Sequence, residues 1–187
     1  MNVTNLATND GVDSGQLLER IRSDQSHRDA LASADVISVQ IGFNDWRGCN
    51  WPNDDACWDT GTAGVEQNLS AMLDEIRTLR GGKPTALRVL TYPNMFIGAL
   101  TSPQPPFVAD SAFQSFYAGQ LDELNVAICR AAEANGATCV DLVTAFNGPG
   151  SDVAANGLIG PDNKHPTTAG HELIAKTLDA AGYEPLA

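Results

Sequence analysis

The chain has 187 residues, 43% of them hydrophobic and 18% charged, the composition of a globular chain about one domain long rather than a disordered one. Eleven Lys and Arg against 23 Asp and Glu give a net charge of -12, which repels phosphate backbones and anionic membranes and argues against nucleic acid as a partner. No apolar run approaches the ~20 residues that span a bilayer, and the start, Met1-Asn-Val-Thr-Asn, has neither the basic region nor the apolar stretch of a signal peptide.

Residues 3–7 read as a first short β run, followed by a short helix on Leu17, Leu18 and Ile21. A second β run covers residues 35–41. Val65, Leu69, Met72, Leu73, Ile76 and Leu79 then step by three and four along one helix face that ends at Gly81-Gly82. The third β run is 86–92, and Phe113, Phe116, Tyr117, Leu121, Leu124 and Ile128 give a helix closing near Asn135-Gly136. The fourth β run is 138–142. The last helix carries Leu173, Ile174, Thr177, Leu178 and Ala181 and starts at Pro166-Thr167. Strands alternating with helices predict an α/β fold whose parallel sheet is covered on both faces. There is no internal repeat or linker, so a single domain over residues 1–187 is expected, with the Pro-rich stretch 101–106 as a loop.

Cys49 and Cys57 bracket a loop rich in Trp, Asn and Asp, and Cys129 and Cys139 lie late in a helix and at the opening of the next strand. Each pair is near enough in sequence to close a short loop, so two local disulfides are the preferred reading. Buried free thiols are the alternative; a metal site is disfavoured, since no Cys-x-x-Cys or Cys and His spacing is present. Disulfides imply an oxidising compartment.

Ligands of parallel sheets bind beyond the carboxyl ends of the strands, which singles out four loops: Asn9-Asp-Gly11, Gly42-Phe-Asn44-Asp45, Tyr92-Pro-Asn94 and the stretch 143–165. Asp162 lies one turn before His165, so its carboxylate can accept the Nδ1 proton and leave Nε2 as a general base. The plain alternative is an Asp capping a turn beside a solvated His. The Asn44 side chain can donate to a developing oxyanion, and Gly11, without a side chain, can offer its backbone N–H; ordinary turns would use the same residues.

Together, the order Gly11, Gly42-x-Asn44-Asp45 and Asp162-x-x-His165-Pro resembles blocks II, III and V of the SGNH hydrolases, the GDSL esterases and lipases. Asn5-Leu6-Ala7 before Gly11, Leu17-Leu18, Tyr92-Pro-Asn94 and Gly170-His171 fit the same pattern. The two cysteine pairs and the Trp-rich loop are similar to secreted actinobacterial members. The resemblance implies a flavodoxin-like three-layer α/β/α sandwich and ester hydrolysis without metal or cofactor. It implies His165 as general base, Asp162 as its orienter, and an oxyanion hole of Gly11 N–H, Asn44 and the N–H of the nucleophile. The expected substrates are small-molecule, lipid or acetylated carbohydrate esters, and the expected location is extracellular; oligomeric state is open.

Block I, the Gly-Asp-Ser-Leu stretch that carries the nucleophilic serine in the family, is not in this sequence. The resemblance therefore implies an N-terminally incomplete domain with its serine ahead of Met1, or a non-catalytic homologue that binds an ester or carbohydrate. Ser14 is the only nearby hydroxyl imitating the missing block, with an ordinary helix-start role as its alternative. Trp46, Trp51 and Trp58 either wall a pocket or pack on the 49–57 loop. Asn53, Asp54, Asp55 and Asp59 read as a solvated acidic loop rather than a calcium site. His27 reads as a surface residue and His171 as packing or capping.

Overall fold

The computed structural model describes residues 2–8, 10–50, 54–97, 111–162 and 164–186. Three parallel strands, β1 (Val36–Val39), β2 (Ala86–Leu90) and β3 (Thr138–Val140), form a sheet in the order β1-β2-β3. Around it run α1 (Ser14–Ser23), α2 (Gln25–Ser33), α3 (Asp55–Arg80), α4 (Ser111–Ala134), α5 (Leu142–Asn147) and α6 (Thr168–Ala180). The expected α/β fold with a parallel sheet is therefore present.

Alternation along β2 sorts the layers, because successive side chains of a strand point to opposite faces. Leu87 and Val89 enter a large core with Leu69, Leu73 and Ile76 of α3 and Leu121, Leu124 and Ile128 of α4. Leu90 enters a second, smaller core with Val140, Leu142 and Phe146, against which Leu173, Ile174 and Leu178 of α6 pack. Arg88 points to this second side and is buried; its guanidinium donates to the carbonyl of Gly182 just beyond α6 and to that of Glu184. That contact fixes the far end of α6 beside the middle of β2. Since Leu173 and Ile174 meet the core around Leu90, α6 runs against the strand direction and starts at the carboxyl end of the sheet.

Residues 3–7, expected as a strand, have no regular secondary structure and pair with no strand among the described residues, which corrects that reading. Val3 is 80% exposed, and among the described residues the hydrogen bond made within the segment is local, from Ala7 N–H to the Asn5 side chain. A strand without a ladder partner leaves its backbone groups to water. Among the described residues nothing pairs with the outer edge of β1 either, and Val36 and Ser38 on one of its faces are exposed, so the expected two-sided cover holds for β2 and not for β1.

Two helices had no periodic signal. In α2 only His27 and Leu31 are buried, too few to show a stripe, and α5 has six residues, less than two turns. Their starts are nevertheless written in the sequence: Asp24 caps α2 by accepting from Ser26 N–H, and Asp141 caps α5 by accepting from Thr144 N–H. His27, expected at the surface, is buried on the inner side of α2 with Nδ1 3.3 Å from Asp24 Oδ2.

Both disulfides form as expected. Cys49–Cys57 joins the segment after β1 to the first turn of α3, and Cys129–Cys139 joins α4 to β3. The α3 and α4 pair makes the most extensive contact between elements, with Leu69, Leu73, Leu124 and Ile128 excluded from solvent. Leu73→Ala should cost about 2–5 kcal/mol, because a cavity in this interface has close-packed neighbours on every side. Denaturant unfolding checks it, with a fall in midpoint and an unchanged slope as the expected outcome.

Candidate active site

Three of the loops singled out above leave the carboxyl ends of the strands, and the first two are fixed by side chains rather than by strand pairing. After β2, Asn125 bridges Tyr92, accepting from its N–H and donating to its carbonyl; Asn147 bridges Asn94 in the same way. Each amide mimics a strand partner in a place where no strand runs.

After β1, the chain turns at Gly42 into a short 3-10 helix, Phe43–Trp46. This turn grips the start of α1. Asn44 Nδ2 donates to the Val12 carbonyl at 2.9 Å, which uses one of its two amide hydrogens. Asp45 accepts from the N–H and the hydroxyl of Ser14, at 2.9 and 2.5 Å. Arg47 Nη2 donates to the Gly11 carbonyl at 2.6 Å. Gly11 itself has φ +71°, a conformation that favours glycine, and the exposed Arg47 guanidinium lies where a Cβ would be. The α1 start has its own capping box, in which Asp13 accepts from Gln16 N–H and the Gln16 side chain accepts from Asp13 N–H.

Ser14 is not placed to act on a ligand. It is fully buried, its hydroxyl donates to Asp45 and accepts from Asn68 Nδ2 at 2.9 Å, and its role is to tie α1 to α3 and the 42–47 turn. Burial raises the Asp45 carboxyl above its ordinary value in spite of the Ser14 bonds that favour its ionised form.

Asp162 and His165 form the other pair. His165 Nδ1 lies 2.5 Å from Asp162 Oδ2, while Asp162 Oδ1 accepts from the backbone N–H groups of His165 and Lys164. The ring is 78% exposed, so Nε2 faces solvent. The loop beneath is rigid: Ile159 and Pro166 form an antiparallel bridge, Gly160 N–H donates to the His165 carbonyl and Thr167 N–H to that of Leu158. Thr167 then caps α6 by accepting from Gly170 N–H. A Cβ on Gly170 would lie 2.2 Å from the Leu158 carbonyl oxygen, so glycine lets the first turn of α6 lie on this bridge.

Gly11 and Asn44 are thus brought together by one set of contacts, and Asp162 and His165 by another. Among the described residues no hydrogen bond joins the two sets; they share the carboxyl end of the sheet. Trp46 and Trp58 pack on each other with centroids 5.0 Å apart, and Trp46 Nε1 donates to the Trp58 carbonyl and to Thr62, so both belong to the core rather than to a pocket wall. Trp51, Asn53, Asn9 and the stretch 101–106 lie outside the described residues. The side chain of His171 is exposed on α6. A cavity of about 640 Å³ between α4 and α5, lined by Thr91, Asn125, Arg130, Asp141 and Thr144 among others, contains none of the four expected site residues. Sequence reasoning missed Arg47 and Asn68; the signal for Arg47 was its place two residues beyond Asn44-Asp45, on the same turn.

The model of the GDSL-like lipase/acylhydrolase family matches residues 2–173. The chain belongs to this family. No curated protein sequence gives a significant match. Among solved structures, the fold is similar to that of the lipase Lip_vut3 from a goat rumen metagenome, with a TM-score of 0.74 at 20% identity over 95% of this chain and 77% of that one. It is also similar to a variant of Axe2, an acetyl-xylooligosaccharide esterase from a Geobacillus species (TM-score 0.59, 23% identity, 94% and 70% covered). An extracellular lipase from Streptomyces rimosus gives a TM-score of 0.58 at 19% identity, with 91% and 77% covered. The three-stranded parallel sheet with its helices is therefore the SGNH hydrolase fold.

The His165 ring first, and then the His165 and Lys164 N–H groups, hold the Asp162 carboxyl down to about 2 from 3.8. The folded-state value lies below the unfolded one, so the pair stabilises the fold above pH 3.8 and loses that contribution as pH falls toward 2; with Asp162 48% exposed, the contribution is small. Carboxyl-detected NMR should show Asp162 titrating near 2, with His165→Ala returning it toward 3.8. An unchanged midpoint in the variant would contradict the pairing.

Proposed function

We propose that the protein is a secreted carboxylic ester hydrolase that acts from a single domain by serine acyl transfer, on short acyl, lipid or acetylated carbohydrate esters. His165 Nε2 is its general base, Asp162 fixes the His165 tautomer, and Gly11 N–H with the second hydrogen of Asn44 Nδ2 receives the oxyanion. The observation that carries this reading is the Asp162 and His165 pair, hydrogen-bonded through Nδ1 with the ring open to solvent.

In this mechanism a serine hydroxyl attacks the ester carbonyl and gives its proton to His165 Nε2. The carbonyl oxygen becomes an oxyanion held by the two donors, each worth about 3 kcal/mol of barrier. His165 then protonates the departing alkoxide, leaving an acyl-enzyme, and water repeats the sequence to release the acid. Ser14 is sealed by Asp45 and Asn68, so the reading assigns the attacking serine to a position outside residues 1–187. Two disulfides support an oxidising location, and the esterase and lipase names of the structural neighbours support the substrate class.

Hydrolysis of p-nitrophenyl acetate tests this, with the protein as its gene encodes it compared with residues 1–187 alone. In the active form His165→Ala should lower kcat by about 10³-fold or more, whereas His171→Ala should stay within about twofold. Residues 1–187 alone should be slower than the active form by a similar factor, and Ser14→Ala should change neither. Absence of hydrolysis in the gene-encoded protein would favour a non-catalytic member that binds an ester or carbohydrate.

A further inference from the structure

Resting on the hydrolase reading above, we propose that Arg47 is a positioning residue that aims the Gly11 donor at the oxyanion, with Asp45 anchoring the same segment at Ser14.

The case begins with the spacing of the contacts. Asn44, Asp45 and Arg47 lie within four residues of one another on the turn after β1, and they hold the Gly11 carbonyl, the Val12 carbonyl and the Ser14 N–H and hydroxyl. Each is a bond between two segments more than 30 positions apart in sequence, so none is a by-product of local turn geometry. Asn68 of α3 completes the grip through the Ser14 hydroxyl.

Gly11 is the weak point of this segment. A glycine visits positive and negative φ with nearly equal ease, so its N–H direction is not set by its own backbone preferences. The Arg47 guanidinium occupies the place of the missing Cβ and holds the carbonyl of the same residue. The carbonyl of Val12 is held by Asn44, the second oxyanion donor, so the turn that carries Asn44 is tied to the segment that carries Gly11. Misplacement by a fraction of an ångström is costly at an oxyanion hole, because donors there work through preorganisation.

The charge of Arg47 points the same way. Arg20, Arg28, Arg77, Arg80 and Arg130 each pair with a carboxylate, whereas Arg47, like Arg22 and Arg88, has no carboxylate partner among the described residues of a chain with net charge -12. Its described contact is with a neutral carbonyl, a bond that fixes the Gly11–Val12 peptide, the neighbour of the peptide that carries the Gly11 N–H, without neutralising the cation.

The experiment compares Arg47→Ala and Arg47→Lys with the wild-type protein on p-nitrophenyl acetate, with thermal unfolding as a control for folding. Arg47→Ala should lower kcat by about tenfold or more with KM within about twofold, and millimolar guanidinium ion should restore part of the loss in Arg47→Ala and none in Asn44→Ala. An unchanged kcat, or a rise in KM with kcat intact, overturns the proposal, the latter by making Arg47 a substrate-binding group. If the wild-type protein hydrolyses no ester, the hydrolase reading fails on its own. The brace is then judged on residues 1–187 by ¹⁵N NMR, where Arg47→Ala must move the Gly11 amide and Asn44 side-chain amide resonances; unmoved resonances overturn it.

Discussion

The backbone ladder of β2 is the constraint on which the other elements depend. All five of its residues are buried, it pairs with β1 on one side and β3 on the other, and its side chains alternate between two separate apolar cores. Parallel strands cannot be joined by a tight turn, so each connection has to travel back along the sheet, and the helices that make the return journey bury the two faces. α3 covers one face between β1 and β2, and α4 the same face between β2 and β3; α6 lies on the other. Every segment that leaves a strand therefore leaves at the same end, and the turn carrying Asn44 is one of them.

Most of this was legible in the sequence, since periodicity records burial. The stripe from Val65 to Leu79 could only be one face of a helix, and its inner members are indeed the fully buried ones. What escaped was structure held by something other than an apolar stripe. The helix Gln25–Ser33 buries only two side chains, one of them a histidine, and is set in place by its Asp24 cap and by the Arg28 to Glu75 ion pair. Residues 3–7 have strand-forming side chains, but a strand exists only where another backbone answers it, and β propensity carries no information about that. The candidate site was legible at the level of residue types, because Asn after a strand and Asp three residues before His suit acyl chemistry. Its mutual bracing was not, because the partners Val12, Asn68 and Arg47 have no pattern until the chain is folded.

Buried polar side chains do at the rim what hydrogen-bonded strands do in the sheet. Asn125 and Asn147 each satisfy both backbone groups of one residue after β2, and Asn68 with Asp45 does similar work around Ser14. A buried amide or carboxylate that lost its partner would cost about 1–3 kcal/mol, so these residues make the loops unforgiving of alternative conformations. That is the physical reason a loop-borne site can hold its donors as steadily as a strand would.

The two halves of the site rest on different cores. Gly11 and Asn44 are set by α1, α3 and the turn after β1, whose apolar residues belong to the larger core; Asp162 and His165 are set by the bridge before α6, whose apolar residues belong to the smaller one. The two pairs thus rest on different apolar clusters, and the element common to both cores is β2, through Leu87 and Val89 on one side and Leu90 on the other. A disturbance confined to one core leaves the internal geometry of the opposite pair intact while changing its distance to the other pair. In the proposed acyl transfer the two pairs would have to stay in register around one carbonyl carbon, and β2, buried along its length and paired on both sides, is the element they have in common. The buried Arg88 fits this arrangement, since by gripping the Gly182 and Glu184 carbonyls from the middle of β2 it ties the end of α6 to the strand that pairs with β1, from which the turn carrying Asn44 leaves.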